Sequence, residues 1–248
     1  MLVSIVIITL KPFGDIDCIS YLEKQTYQNY EYVIRDDPGV SKAKNEAIKR
    51  AKGKIIAFID DDAVPEKNWL ENIVKNLDDE YGIVGKVIHP YNDVWGKIPE
   101  HYNQGKTPFY TRTGVGCNMA FRKEVFDDIG GFDEYFDWGH EESELFIRFN
   151  KKYKLKYCPD VVVTHSYADD ILRYMKKRWM FGWNDRHYWR LTGHYPLVGK
   201  ATKSRKKLRK KQKLNKKTKI EVRIIKLIGW IPELGGIIWS LIFRSKEK

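Results

Sequence analysis

Three consecutive aspartates, Asp60, Asp61 and Asp62, directly follow the apolar run Ile55–Ile59. An uninterrupted apolar run of this length is typical of a buried strand, because both of its faces must be dry. Three adjacent carboxylates repel one another, and a divalent cation such as Mg²⁺ or Mn²⁺, which prefers oxygen ligands, would remove that repulsion. Ligands of open α/β sheets bind at the carboxyl ends of strands, so the pattern favours a metal site. The alternative is a solvated acidic turn before a helix.

Strand and helix patterns alternate through the first hundred residues and would place these aspartates at the edge of a sheet. Apolar strands are predicted over 3–9 and 32–35, each followed by a helical stretch. Ser41 is a candidate helix cap, and Pro65 suits the first position of a helix. This βαβα order predicts an α/β fold with a mostly parallel sheet flanked by helices.

The second half of the chain begins with a stretch rich in Pro, Gly and aromatic residues, 92–113, which we predict to be loop. His165 follows an apolar strand, a position in which a lone histidine is more often structural than a ligand. The remaining patterns predict strands over 117–122 and 161–164 and helices over 142–153 and 169–191.

The formal net charge of +12 arises from one segment of the chain. Residues 200–219 contain twelve Lys or Arg and no acid, and the rest of the chain holds 33 basic and 33 acidic residues. The folded body is therefore neutral by count, which argues against a nucleic-acid groove in it. Binding of a polyanion by the basic segment itself stays open as an alternative function of another class.

The three cysteines, Cys18, Cys117 and Cys158, are widely spaced and odd in number. Because there is no CxxC pair or His-Cys cluster along the sequence, we expect neither a zinc site nor a disulfide framework, and we expect a reducing compartment. The N-terminal segment lacks the basic region and cleavage site of a signal peptide, so it indicates a core strand.

Residues 220–243 are apolar but interrupted, by Arg223, Lys226, Pro232 and a Gly-Gly pair. The interruptions make a membrane-spanning helix a poor fit. An element in the membrane interface, with the basic run against anionic headgroups, fits better. A C-terminal helical hairpin packed on the folded domain is the alternative. The predicted parts are a folded domain over 1–199, a basic linker over 200–219 and an interfacial segment over 220–248.

Several short motifs follow one another in a fixed order along residues 2–190. After the opening strand come Gln25–Glu31, Asp36-Asp37, Ala43-Lys44-Asn45, Phe58–Asp62, Gly130–Glu134 and Trp138–Arg148. This series resembles the family 2 glycosyltransferases, which have the GT-A fold. It matches the order of their nucleotide-binding half, their DxD motif and their acceptor-side signature. The resemblance implies transfer of a sugar from a nucleoside diphosphate sugar, with inversion.

The resemblance implies a donor site near the end of the second strand. In similar enzymes an Asp at this place accepts a hydrogen bond from the nucleobase, so Asp37, or less favourably Asp36, is the expected contact. An Asx turn before Pro38 is the alternative. Lys44 is expected to contact the donor as well. UDP is the expected nucleotide, although the residues leave GDP and dTDP open.

The resemblance also implies a site for Mn²⁺ or Mg²⁺. Asp60 would face the ribose and the metal, and Asp62 would bind the metal that bridges the diphosphate. Asp61, the middle residue of the motif, is either a donor contact or solvated. His165 corresponds to a histidine that completes the metal site in similar enzymes, and neutral imidazole suits Mn²⁺.

Two adjacent glutamates, Glu141 and Glu142, stand where the family usually has Glu-Asp. Inverting transfer needs a general base that takes the proton of the acceptor hydroxyl, and a shielded carboxylate can serve. Glu142 aligns with the base of the family, and Glu141 is the second candidate. The alternative is that both acids merely favour the start of the following helix.

The predicted function is an inverting, metal-dependent glycosyltransferase in cell-surface glycan or glycolipid synthesis. The expected acceptor is a saccharide or a lipid-linked molecule, and transfer to a polyprenyl phosphate is the rival activity. We expect a cytoplasmic protein that lies on the inner face of the cell membrane through residues 200–243. No nucleic-acid partner is expected.

Overall fold

The computed structural model describes residues 1–99, 101–193 and 216–243, which divide into two compact units. Unit 1 comprises Met1–Pro90, His101–Asp137 and Glu141–His165. Unit 2 comprises the described residues within 91–100, 138–140 and 166–248. Most of the predicted basic linker, and residues 244–248 of the predicted interfacial segment, lie outside the described residues.

Unit 1 is built on one sheet of eight strands. Its order is β2-β1-β3-β7-β5-β8-β4, and β6 pairs with β8. The strands are β1 (Val3–Ile8), β2 (Tyr30–Arg35), β3 (Ile55–Phe58), β4 (Val64–Pro65), β5 (Gly82–Ile88), β6 (Phe109–Thr111), β7 (Met119–Arg122) and β8 (Leu155–Thr164).

The directions of the strands bring most of their carboxyl ends to one edge. β1 runs parallel to both β2 and β3, as the βαβα order predicts. β7 runs antiparallel to both β3 and β5, and this direction is not predicted by the βαβα order. Two reversals restore the direction, and β8 is parallel to β5, so β3, β5 and β8 all point the same way. The sheet is thus parallel on the β2-β1-β3 side and mixed on the other.

Side chains on both faces of the sheet are buried, which explains the uninterrupted apolar run of β3. Ile55 and Ala57 pack in one core layer, while Ile56 and Phe58 pack in the other. All four are at most 2% exposed. Each large apolar side chain buried in this way contributes roughly 1.5–3 kcal/mol. The strand is therefore fixed firmly just before the three aspartates.

Five helices cover the sheet of unit 1. They are α1 (Ile19–Leu22), α2 (Val40–Arg50), α3 (Trp69–Asn76), α4 (Glu124–Ile129) and α5 (Glu141–Lys152). Two helix starts differ from the sequence prediction. Ser41 lies inside α2 and Gly39, with φ of 86°, is the cap residue, because the Ser41 hydroxyl donates to the carbonyl of Phe136 instead. Pro65 ends the strand β4, and its helix begins at Trp69.

Unit 2 contains two long helices, α6 (Ile171–Thr192) and α7 (Lys216–Phe243). They pack closely, because Gly182 of α6 lies against the backbone of Glu233 and Gly236 of α7 lies against the carbonyl of Trp179. Arg178 and Glu233 form an ion pair between the helices. The apolar C-terminal segment therefore forms a helix pair with α6, whereas the sequence prediction placed α6 in the domain that ends at residue 199.

Among the described residues, none of the helices combines the length and apolarity that crossing a membrane would require.

Candidate active site

Asp60, Asp62 and His165 meet at the carboxyl edge of the sheet in unit 1. The Nε2 atom of His165 lies 3.1 Å from Oδ1 of Asp62 and 3.5 Å from Oδ2 of Asp60. Because β3 and β8 point the same way, the residues that follow them arrive at one edge. Two carboxylates and an imidazole form a donor set that could hold a divalent cation.

The orientation of the His165 ring is set by a buried tyrosine. The hydroxyl of Tyr102 lies 3.1 Å from Nδ1 of His165, which directs Nε2 towards the two aspartates. Burial would lower the pKa of His165, but Cys117, Asp62 and Asp60 outweigh that effect and raise the pKa. The surroundings therefore favour positive charge at this point, as expected of a cation site.

Asp61 turns away from this group. Its carboxylate accepts a hydrogen bond of 2.5 Å from Thr9, and it lies 3.6 Å from the ammonium of Lys11. Its carbonyl also accepts a hydrogen bond from the N–H of Cys18. Asp61 therefore fastens the loop after β1 to the end of β3. Its predicted role as a donor contact remains a prediction.

Asp37, the expected contact for the nucleobase, follows β2 and is held by a residue of the same strand. Nε and an Nη atom of Arg35 donate hydrogen bonds of 2.7 and 2.8 Å to its two carboxylate oxygens. The hydrogen bonds from Arg35 lower the pKa of Asp37, so the group is ionised and can only accept. Asp36 beside it is exposed.

Lys44 forms a buried ion pair with Glu141, with 3.0 Å between Nζ and Oε1. Burial would lower the pKa of Lys44, but Glu141 and Glu142 raise it. Burial would likewise raise the pKa of Glu141, but Lys44 outweighs burial and lowers it. Both partners are therefore charged. The Lys44 charge also interacts with Asp60, so the lysine links the acids of α5 to the end of β3.

Polar residues of α2 hold the segment that leads into α5. Ser41 donates to the carbonyl of Phe136, and Asn45 exchanges hydrogen bonds with the backbone of Phe132. With Lys44, these residues form a row that contacts Phe132, Phe136 and Glu141. The sequence motif around Lys44 thus has a positioning role that local patterns did not reveal.

Glu142 is in a different electrostatic state from its neighbour. Burial, followed by the charge of Glu141, raises its pKa to about 8. The residue as a whole is partly exposed, but its Oε2 atom is buried and no described residue hydrogen-bonds to that atom. A carboxyl group with this pKa can accept and release a proton near neutral pH, as a general base must.

The turn Gly116–Asn118, which sequence reasoning missed, joins the two groups of site residues. A methyl group on Gly116 would lie 3.6 Å from Cδ of Glu142, so the turn passes beside that carboxylate. The side chain of Asn118 fixes the turn. It accepts from the indole of Trp69 and donates to the carbonyls of Lys86 and Val161, at 2.9, 3.0 and 3.0 Å.

Replacing Asn118 with alanine is expected to lower the free energy of unfolding by ~3 kcal/mol, because two buried partners and one partly buried partner would lose a hydrogen bond. Urea unfolding measures this. The matched control is Asn76→Ala, which removes hydrogen bonds to the exposed side chain of Asp160 and one to the Asn72 carbonyl of its own helix, and should cost less than ~1 kcal/mol. Equal losses in the two variants would contradict the anchoring role of Asn118.

In unit 2, a second polar group lies on the residues just before α5. His140 has φ of 70°, an uncommon value for a residue other than glycine. Its Nε2 atom lies 2.7 Å from Oδ1 of Asp185, and its ring stacks on Tyr188. Asn184 donates to the carbonyl of Trp138 at 2.6 Å. These contacts attach residues 138–140 to α6.

Two family models match the chain: glycosyl transferase family 2 over residues 24–130, and the N-terminal domain of galactosyltransferase over residues 101–166. Similar proteins include the glycosyltransferase AglE of Haloferax volcanii, 26% identical over 173 residues. The glucosyl-dolichyl phosphate glucuronosyltransferase of the same organism is 26% identical over 134 residues. These alignments cover 66% and 49% of this chain, but only 57% and 40% of the two relatives.

A mannosyltransferase of Pyrobaculum calidifontis, solved with GDP-Man and Mn²⁺, has a similar fold. The two align with a TM-score of 0.59 and 18% identity, over 97% of this chain and 75% of that one. The fold is thus that of the GT-A glycosyltransferases. Within that class, the chain is similar to glycosyl transferase family 2, whose model matches residues 24–130.

Proposed function

We propose that this protein is an inverting, metal-dependent enzyme that moves a sugar from a nucleoside diphosphate sugar to a hydroxyl group of a saccharide or lipid-linked acceptor. One observation carries the proposal. In unit 1 the turn Gly116–Asn118 lies between the cation-type site, formed by Asp60, Asp62 and His165, and the carboxyl group of Glu142, whose pKa is raised towards neutrality. A transferase of this kind needs both, at neighbouring places.

Asp60, Asp62 and His165 would hold Mn²⁺ or Mg²⁺. The oxygen and imidazole donors suit either ion, and the Mn²⁺ in the similar mannosyltransferase supports this choice. When bound, such an ion stabilises the negative charge that develops on the departing diphosphate.

Glu142 would act as the general base. Its carboxylate takes the proton of the acceptor hydroxyl as that oxygen forms its bond to the anomeric carbon. The nucleoside diphosphate leaves from the opposite face with the bonding electron pair, which inverts the configuration. Glu141 stays ionised beside Lys44, and its charge keeps the proton affinity of Glu142 high.

Asp37 would accept a hydrogen bond from the nucleobase while Arg35 holds it in place. UDP remains the expected nucleotide, and the GDP-Man bound by the similar mannosyltransferase makes GDP the main rival. A thermal-shift panel of nucleoside diphosphates, each with and without Mn²⁺, tests the proposal. A ligand at 100 times its Kd stabilises the folded state by about 2.7 kcal/mol. If no nucleoside diphosphate raises the Tm in the presence of Mn²⁺, the proposal is wrong.

We also propose that the enzyme attaches peripherally to an anionic membrane surface, on the cytoplasmic side, through α7. Six apolar residues line one exposed stripe of this helix at alternating spacings of four and three. They are between 48% and 72% exposed: Ile220, Ile224, Leu227, Ile231, Leu234 and Ile238. Two exposed basic residues, Lys219 and Arg223, lie near the N-terminal end of the same helix. A stripe of this kind with basic neighbours suits insertion among anionic headgroups and supports a lipid-linked acceptor.

Combining Ile224→Glu, Leu227→Glu and Ile231→Glu is expected to reduce partitioning onto vesicles of phosphatidylglycerol and phosphatidylcholine by ~10²-fold or more. Each of the three apolar side chains contributes ~1 kcal/mol to binding when it moves from water into the membrane interface, and the variant loses this contribution three times. Liposome flotation at low and high salt measures this.

The control for this experiment is Leu10→Glu in unit 1, which changes an even more exposed apolar side chain and should float like the unchanged protein. The attachment should persist in high salt, because charge alone would be screened. Failure of the unchanged protein to float, or normal flotation of the triple variant, would contradict the membrane role.

A further inference from the structure

The cation-type site of unit 1 contains a cysteine. One ligand atom each from Asp60, Cys117 and His165 lies within 4.8 Å of the other two. Cys117 is 2% exposed and His165 is 9% exposed. The thiol of Cys117 is within hydrogen-bonding reach of the His165 imidazole. Residues 57 and 48 positions apart along the chain thus converge on one point.

The structure holds this sulfur rigidly. Cys117 is the middle residue of the turn Gly116–Asn118, and Asn118 ties that turn to the indole of Trp69 and to the carbonyls of Lys86 and Val161. On the other side, Tyr102 fixes the His165 ring through Nδ1. A site with ligands that are held on both sides needs little rearrangement to accept an ion.

The other two cysteines lie in ordinary core surroundings. Burial raises the pKa of Cys18 and of Cys158 to about 12, so both remain thiols. The Cys158 sulfur lies 4.0 Å from the carbonyl of Lys156, within its own strand. Among the described residues, neither Cys18 nor Cys158 belongs to a cluster of side chains that could bind a metal ion. Cys158 therefore serves as a matched control for Cys117.

We propose that Cys117 is a thiolate ligand of this site, so that the enzyme binds thiophilic divalent ions such as Zn²⁺, Co²⁺ or Cd²⁺ more tightly than Mn²⁺ or Mg²⁺. Soft sulfur ligands favour the first group, whereas carboxylates alone favour the second. As the metal–sulfur bond forms, the thiol proton passes to solvent. The inference rests on the metal dependence proposed above and adds the identity of one ligand.

Cobalt titration of the full-length protein tests the assignment without any activity measurement. A thiolate bound to Co²⁺ gives a sulfur-to-metal charge-transfer band in the near ultraviolet, which oxygen and nitrogen ligands do not give. We expect the band in the unchanged protein and in Cys158→Ser, and its loss in Cys117→Ser. Competition titrations then give the ratio of Mn²⁺ to Cd²⁺ dissociation constants, which should fall by ~10-fold or more in Cys117→Ser alone.

The outcomes separate the two proposals. If Co²⁺ binds without the charge-transfer band and Cys117→Ser keeps the metal preference of the unchanged protein, Cys117 is not a ligand and the metal dependence stands. If Co²⁺, Mn²⁺ and Cd²⁺ all fail to bind, with or without UDP or GDP, the metal dependence fails and the inference with it. If Cys117→Ser does not fold, retention of the band in both Cys18→Ser and Cys158→Ser still assigns it to Cys117, and its loss in either variant contradicts the assignment.

Discussion

Replacing Glu142 with glutamine is expected to lower turnover by ~10²-fold or more while donor affinity is kept. Glutamine preserves the shape of the side chain but cannot take the proton of the acceptor hydroxyl. Steady-state kinetics give the loss in kcat, and equilibrium titration with the nucleoside diphosphate checks that binding is unchanged. The comparison is Glu141→Gln, which removes a charge from the Lys44 pair. A comparable loss in Glu141→Gln, with Glu142→Gln near the unchanged enzyme, would move the base to Glu141.

The pH profile provides an independent check on the same residue. Burial and Glu141 raise the pKa of Glu142 from 4.5 to about 8. The ionised form is the base, so kcat/KM should rise as the pH increases and level off above about 8. The same shift has the opposite sign for stability: because the folded state holds the proton more tightly, the contribution of Glu142 falls as the pH rises from 4.5 to about 8. A profile that is already flat above pH ~6 would show that an ordinary carboxylate is the base.

Asp62→Ala is expected to abolish metal-dependent binding of the nucleotide and nearly all transfer, with the fold intact. The Asp62 carboxylate lies 3.1 Å from His165 Nε2 and is 36% exposed, so its loss removes a ligand without opening the core. Calorimetric titration of Mn²⁺ with the nucleoside diphosphate measures the binding, and circular dichroism checks the fold.

The matched control is Asp61→Ala, one position away, which removes the hydrogen bond to Thr9 and the contact with Lys11. It should lower thermal stability and leave Mn²⁺ affinity within a few-fold. Normal turnover of Asp62→Ala in the presence of EDTA would contradict the metal assignment.

The sequence determined the elements whose signals are local. The apolar run over Ile55–Ile59 predicts a strand that is buried on both faces, because any polar residue there would have to be satisfied in a dry core. Acidic residues at the end of such a strand indicate a ligand-binding site at that edge of the sheet. The order of short motifs indicated the family, since each motif occupies a fixed place along the chain. The helix from Glu141 and the strand that ends before His165 also follow from local pattern.

Only the tertiary structure decided which of these residues meet. The antiparallel insertion of β7 depends on hydrogen-bond register between strands that are more than 60 residues apart, and no local period encodes it. The pairing of Lys44 with Glu141, the approach of Cys117 to His165 and the packing of α7 on α6 are contacts of the same kind. The periodicity of apolar residues identifies which face of a helix or strand is buried. The contact partner of each side chain, in contrast, depends on how elements distant in the sequence pack together. A buried charge or thiol is tolerated only where that packing supplies a partner.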